Sequence, residues 1–397
     1  MIPVSKALKI IARETSEVRF ERIALGDSVG RILAEDIVAD SDLPPFDRSQ
    51  MDGYAVKASD TVHAPVTLRL VGESAAGRGW HKTLKPGEAV RIMTGASVPA
   101  GADAVQKLEV AKEGGDSVTL FESTEAGRFI VSKGKEVKKG KTVLRSGERI
   151  TAANISIPAA FGYAKLKVAK QPRVAIISTG SEIVDIKTKP GRDQIRNSNS
   201  VMLKVLCEQT GAIATIFPNA GDEISNLKFQ ISDAVRNADI LVTTGGVSVG
   251  TDDLSKLALK ELGAEVFFER VALKPGKPTV FGRLRKTLVF GLPGNPVSSA
   301  VTFYLFVRKA LLLMQSAGFT DLEPATAITP KQIKSTKERD VYLPSGLRIV
   351  NGRLMVEPVN WHGSSDFIGF SHADALAIIP KGSTVEAGKV IDILLIP

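Results

Sequence analysis

Between Arg173 and about Ser316 the chain switches repeatedly from short, β-branched apolar runs to stretches with helical spacing. That alternation commits the region to a helix-covered sheet of the βαβ kind. RVAIIS (173–178), AIATIF (212–217) and DILVTT (239–244) read as strands. Asn199 and Ser200 are good caps for a helix in which Met202, Leu203, Val205, Leu206 and Gln209 follow helical spacing, and Gly211 stands where a left-handed stop belongs. A second helix is expected from Glu223 to Asn237, and a third, capped by Asp252 or Asp253, through Leu262. VFF (266–268), TVFG (279–282) and TLVFG (287–291) add strands before a long helix from Pro296. The region reads as a doubly wound α/β domain.

The flanks differ. From Ile2 to Ala12, Val4, Ala7, Leu8 and Ile11 recur at helical spacing, and a second apolar stretch runs from Val29 to Val38. From residue 44 to about 148, runs such as Val66 to Val71, Ala89 to Met93 and Val118 to Phe121 are separated by Gly, Pro and Lys clusters, which reads as a β-rich insertion. The tail, from about Leu322, returns to short strands with turns expected at Pro344-Ser345-Gly346 and Asn351-Gly352, a small β-barrel or sandwich. The expected division is 1–43 with 141–172, then 44–140, 173–318 and 319–397. No repeat of 20 to 50 residues is visible.

Composition narrows the function. With 43% hydrophobic and 24% charged residues the chain looks like an ordinary soluble protein. The longest apolar stretch, Pro296 to Met314, carries Arg308 and Lys309, so no uninterrupted run is expected to span a bilayer. The N-terminal MIPVSKALKIIARE lacks a secretory pattern, and the expected location is the cytoplasm. One cysteine, Cys207, forbids an internal disulfide, and four scattered histidines offer no zinc spacing. A catalytic ion would be a hard one, held by carboxylates and phosphate oxygens. The balance of 52 Lys and Arg against 43 Asp and Glu favours anionic partners. Nucleic acid gets little support, because aromatics are 6% and no basic stretch interleaves with them.

The most informative loop is Thr243-Thr244-Gly245-Gly246-Val247-Ser248-Val249-Gly250-Thr251-Asp252-Asp253. It follows a strand, where open α/β sheets bind ligands, and paired glycines let backbone N–H groups approach an anion. The alternative is a tight turn with a capping Asp. Ser178-Thr179-Gly180-Ser181-Glu182 and Asn219-Ala220-Gly221-Asp222 follow the other two strands, so Glu182, Asp222, Asp252 and Asp253 converge on one sheet edge if those strands are neighbours. Helix capping explains Asp222 and Asp252 equally well. Leu273-Lys274-Pro275-Gly276-Lys277-Pro278 presents two ammonium groups around a stiff turn, either an oxyanion clamp or plain surface lysines. Gly291-Leu292-Pro293-Gly294-Asn295-Pro296-Val297-Ser298 is either a connector or a helix start aimed at an anion. Gly134 to Thr142 has the wrong glycine spacing for a P-loop, and His362 with Ser364, Ser365 and Asp366 matches a hydrolase triad in composition only.

PPFDRSQMDGYAV (44–56), RIMTGASVPAGADAV (91–105), ISTGSEIV, IRNSNS, TTGGVSVGTDD, LKPGKP and GLPGNPVS occur in an order that resembles the molybdopterin molybdenumtransferases, the MoeA and gephyrin E-domain family. The resemblance covers about residues 2 to 380. It implies a multidomain α/β fold: a central doubly wound, MogA-like domain, a β-rich N-terminal insertion and a small C-terminal β-barrel. It also implies a homodimer, with the 1–43 and 141–172 part in dimerisation and the active site between the α/β domain of one subunit and the MDGYA-bearing domain of the other. The implied reaction takes adenylylated molybdopterin and molybdate to molybdenum cofactor and AMP with Mg²⁺. Molybdopterin adenylyltransferase and acceptor molybdoenzymes are the implied partners, with no nucleic acid and no membrane.

In that reading a pyrophosphate lies on Gly245 and Gly246, Glu182, Asp222 and Asp253 hold or orient the divalent ion, and Lys274 and Lys277 attract the tetrahedral oxyanion. By motif position Asp52 and Thr94 become cleft residues, Pro293 and Pro296 shape the loop beneath the site, and Ser248 and Ser298 join the binding set. Departures from the family pattern fall at Val131, at Glu136, at Ser181 of the TGSE segment, and in a thinned C-terminal serine stretch, Ser364, Ser365 and Ser371. Two other functions fit parts of the chain. A gephyrin-like scaffold would be expected to lose the carboxylates, and a molybdopterin adenylyltransferase would lack the MDGYA insertion.

Overall fold

The computed structural model describes residues 1–245, 254–360 and 362–397. The chain divides into two compact units, one of residues 36–145 and 153–164, the other of 1–35, 146–152 and 165–397.

The smaller unit is built on a six-stranded sheet in the order Ala104–Lys107, Gly53–Val56, Glu88–Ile92, Val66–Ser74, Ser117–Leu120, Ala111–Gly114. The MDGYAV segment supplies its Gly53–Val56 strand, with Tyr54, Ala55 and Val56 fully buried. Tyr54 and Val56 face one apolar cluster and Ala55 the other, as the two-residue strand period requires. Most of that motif is therefore core.

In the larger unit a second six-stranded sheet runs Ile213–Ile216, Arg173–Ser178, Ile240–Thr244, Thr287–Leu292, Val280–Leu284, Glu265–Phe268. The first four strands are parallel, and the expected doubly wound core is there. Val280–Leu284 runs antiparallel because only Arg285 and Lys286 link it to Thr287, and two residues make a hairpin but never a crossover. Side chains alternate between faces. Val174, Ile176, Ile240 and Val242 pack beneath the Val4–Glu14, Ser198–Gln209 and Pro296–Met314 helices, while Ala175, Ile177 and Leu241 pack against Ile224–Ala234 and Leu254–Glu261.

Helix details depart from expectation at several points. Ser198–Gln209 is capped by Asn197, whose side chain accepts from the Ser200 N–H at 3.1 Å, so neither Asn199 nor Ser200 is the cap. Gly211 does stand in the left-handed region, at φ +91°. The stretch Pro296–Met314 is one 19-residue helix, with a π-helical segment at Phe303–Val307, and by length and composition alone it is apolar enough to cross a membrane despite Arg308 and Lys309. Most of its residues are instead buried, as the central helix of this unit.

The C-terminal strands close on themselves. Asp340–Val350, Arg353–Pro358, Pro324–Ile328, Val390–Leu395 and Ala375–Ile379 pair in turn, and Ala375–Ile379 returns to Asp340–Val350, which makes a five-stranded barrel. Asn351 (φ +49°) and Gly352 (φ +74°) form the expected hairpin turn. Pro344-Ser345-Gly346 does not turn. It lies inside Asp340–Val350, where Ser345 pairs with both Ala375 and Pro358 as the strand passes from one partner to the next. A proline and a glycine mark a barrel corner as readily as a turn.

Candidate functional site

Register sets the site in the larger unit. Ser178 is level with Thr244, and Thr244 with Leu292, so Thr179, Gly245 and Pro293 leave the sheet side by side at its carboxyl edge. Gly245 has φ +88°, and a Cβ there would meet the Thr179 carbonyl oxygen at 2.7 Å. Glycine is required for that close approach. Asn199 explains why it is not a cap: its Nδ2 donates to the Gly294 carbonyl at 2.6 Å and to Thr244 Oγ1 at 3.1 Å, tying two loops together.

On the neighbouring strand end, Asp222 accepts from the Ser181 N–H at 3.0 Å, and the Glu182 carboxylate lies over Gly180, whose hypothetical Cβ would meet both of its oxygens at 2.5 Å. Two exposed carboxylates thus flank Gly180-Ser181. Asn219 fixes that turn by donating to the Gly180 and Ile183 carbonyls at 2.8 and 3.0 Å. Among the described residues no group of three or more metal-ligating side chains forms. Gly246, Ser248, Asp252 and Asp253 lie outside the described residues.

The two lysines meet in a cavity of about 440 Å³ lined by Lys274, Lys277, Pro293, Asn295, Ser298 and Arg339, among others. Its floor is held by the Lys274 turn: Thr279 Oγ1 donates to the Gly276 carbonyl at 2.7 Å, and Gly276, at φ +119°, packs so closely on Thr302 that a Cβ would come within 2.5 Å of its methyl. Pro296 does not line the cavity but opens the adjoining helix at its first position. That helix start is capped from afar, because Val297 N–H donates to the Ser364 carbonyl at 3.0 Å and Asn295 Nδ2 to Ser364 Oγ at 2.7 Å. One backbone donor expected to face an anion is therefore already used. Asp366 accepts from the Gly369 and His362 N–H groups and the His362 ring, which holds its carboxyl down at about 2. His362 and Asp366 do pair, but as part of a helix cap.

Arg339 and Asn295 were not among the residues expected from sequence. Asn295 lies inside the GLPGNPVS motif, and its position before a helix was the available signal. Arg339 sits in the charged loop STKERD, where nothing distinguishes it from its neighbours.

In the smaller unit Asp52 and Thr94 form a tight pair: one carboxylate oxygen of Asp52 accepts from the Thr94 N–H at 2.7 Å and its hydroxyl at 2.8 Å. These bonds, with Arg91 nearby, lower the Asp52 pKa and keep it ionised. Glu136, one of the departures, pairs with Arg48 of the PPFDRS segment at 2.8 Å.

Three family models match in succession: the MoeA N-terminal region (domain I and II) over residues 2–162, the probable molybdopterin binding domain over 175–312, and the MoeA C-terminal region (domain IV) over 326–396. A molybdopterin molybdenumtransferase of Bacillus subtilis is 35% identical over 404 residues, covering 100% of this chain and 94% of that protein. The chain belongs to the molybdopterin molybdenumtransferase family. Another member, from Staphylococcus aureus strain COL, is 35% identical over 99% of this chain and 95% of its own length. The MoeA structure from Pyrococcus horikoshii OT3 superposes with a TM-score of 0.86 at 31% identity, covering all of both chains. A molybdenum cofactor biosynthesis protein from Pyrococcus furiosus shares the fold at TM-score 0.63 and 18% identity. The resemblance of the motifs is thus matched by family membership over the whole chain.

Proposed function

We propose that this protein inserts molybdate into adenylylated molybdopterin, releasing AMP and giving molybdenum cofactor. The observation that carries the reading is the cavity in which Lys274, Lys277 and Arg339 meet at the carboxyl edge of the sheet, beside the loop that carries Pro293. Three cations around a volume of about 440 Å³ suit a tetrahedral dianion with room for the group it joins. Gly245 lets the chain turn against the Thr179 carbonyl as it leaves the sheet, and the phosphoanhydride of the nucleotide is assigned to the backbone of the loop that follows by motif position. Glu182 and Asp222 are hard oxygen donors on adjoining turns, and one or two carboxylates with substrate phosphate oxygens are the usual setting for Mg²⁺. Held there by Glu182 and Asp222, Mg²⁺ would supply charge neutralisation for the anhydride oxygens. Asp253 is assigned to the same set by motif position.

The enzyme is proposed to work in the cytoplasm as a homodimer, with the Asp52–Thr94 pair of one subunit serving the site of the other, and to pass its product to acceptor molybdoenzymes. Molybdopterin adenylyltransferase is the proposed source of its substrate. Incubation with adenylylated molybdopterin, molybdate and Mg²⁺ tests the reading. AMP should appear only with molybdate, and a cofactor-free molybdoenzyme should become active. Substrate binding with neither event would move a binding or scaffold role to the front.

A further inference from the structure

A second, larger cavity, about 770 Å³, opens at the opposite end of the same α/β sheet. Arg173 begins its strand, Asp239 precedes Ile240, and Arg285 and Lys286 form the hairpin turn before Thr287, so the cavity lies at the amino ends of strands whose carboxyl ends carry Gly245 and Pro293. Six-residue strands separate the two places by roughly 17 Å. We propose that this cavity is a binding site for a linear polyphosphate group, distinct from the substrate site and independent of the reaction proposed above.

Charge is the first argument. Among the described residues seven cations line the cavity against three carboxylates, Glu14, Glu17 and Asp239, an excess of four positive charges. Glu14 pairs with both Arg13 and Arg283, and Asp239 accepts from the Arg173 backbone N–H at 2.8 Å. Arg283 is consumed by Glu14 and by stacking over Phe267, and Arg236 by Asp233 at 3.6 Å. Among the described residues this leaves Arg19, Lys170, Arg173, Arg285 and Lys286 outside any ion pair, with Glu17 and the backbone-bonded Asp239 as the remaining carboxylates of the concavity. The mutual repulsion of these cations is relieved by an anion of several charges, and three of the five are guanidinium forks, which match phosphate oxygens in pairs.

Backbone geometry is the second. Arg285 stands at φ +57°, where a glycine or asparagine is the undemanding choice. The hairpin accepts that conformation at a residue whose side chain carries charge to the cavity rim. Lys170 N–H donates to the Arg19 carbonyl at 2.8 Å, which holds two further cations next to each other on adjacent segments.

The lining also selects the kind of anion. Among the described residues no aromatic ring faces the cavity, so a nucleobase finds no stacking surface, and recognition falls on the phosphate chain. The volume lies within the range of small-ligand pockets. A free polyphosphate and the tail of a nucleoside triphosphate share this chemistry.

Titration calorimetry of the full-length protein with inorganic tripolyphosphate and with ATP, at low ionic strength and without divalent ions, tests the assignment. The Arg173→Gln/Arg285→Gln double variant changes exposed side chains only, and circular dichroism checks that it folds. It should bind tripolyphosphate about tenfold or more weakly, the loss expected when charge-assisted contacts go. A Lys274→Ala/Lys277→Ala variant should retain that binding. Equal affinities for the two probes assign the site to the chain alone, and a tighter ATP assigns it to a nucleotide tail. Undiminished binding by the Arg173/Arg285 variant, or none by the wild type, overturns the proposal. So does a change of mass in light scattering for that variant, which would make the face an interface between copies, or displacement by oligoglutamate at lower concentration than tripolyphosphate, which would make it a docking site for an acidic protein segment.

Discussion

Lys274 pairs with Val341 in parallel register, two residues beyond Arg339, so the lysine turn of the α/β sheet is also an edge strand of the barrel. This bridge delivers Arg339 to the cavity, and Thr336 Oγ1 holds it there by donating to the Arg339 carbonyl at 2.9 Å. If the cavity seats molybdate, Arg339→Ala should raise the KM for molybdate about tenfold, the worth of one charge-assisted contact. Arg339→Lys should recover only part of that, because the ammonium keeps the charge and loses the fork. An unchanged KM in steady-state AMP release would remove Arg339 from the site.

Glu182 and Asp222 make a separable prediction, because neither lines the lysine cavity. Glu182→Gln and Asp222→Asn should each raise the Mg²⁺ concentration for half-maximal rate about tenfold while the molybdate KM stays within about twofold. A rise in the molybdate KM with no change in Mg²⁺ dependence would place these carboxylates with the oxyanion instead.

Much of this arrangement was legible from local pattern, and what was not depends on partners distant in sequence. Strands such as RVAIIS announce themselves by β-branching, and neighbouring strand ends then bring Glu182 and Asp222 together. Asn197 and Asn199 are equally good caps in isolation, and what claims Asn199 for another role is the distant pair of acceptors on Thr244 and Gly294, 45 and 95 residues on. Pro344-Ser345-Gly346 has turn composition, but its strand has a partner on each side of Ser345. Arg339 was invisible because its role follows from a two-residue parallel bridge between segments more than sixty residues apart.

Gly53 has a sharper requirement than most residues of the MDGYAV motif. A Cβ at that position would run into the Gln106 carbonyl across the Gly53–Lys107 pairing, where both neighbours are backbone and cannot rotate away. Gly53→Ala should destabilise the smaller unit by about 3 kcal/mol, an overpacking cost at the upper end of the usual range. Gly114→Ala on the same sheet has nothing within 4 Å of the new methyl and should leave the thermal midpoint nearly unchanged. Equal midpoints for the two variants would show that the sheet yields at Gly53.

Asp366 gives the chain an acid-sensitive anchor beside the lysine cavity. The Gly369 and His362 N–H groups and then the His362 ring lower its pKa from the ordinary 3.8 to about 2. A depressed carboxyl stabilises the fold wherever it is ionised in both states, above the unfolded value, and that contribution is lost as pH falls from 3.8 through about 2. Asp366→Asn should therefore be less stable than wild type at neutral pH, and the difference should shrink across that acid window. Denaturant midpoints measured for both proteins between pH 7 and 2 check the sign. The same anchor orders the loop whose Ser364 caps the helix at Val297, so the variant should also show faster amide exchange at Val297 at neutral pH. Protection at Val297 identical to wild type would mean that Ser364 holds the helix start without help from Asp366.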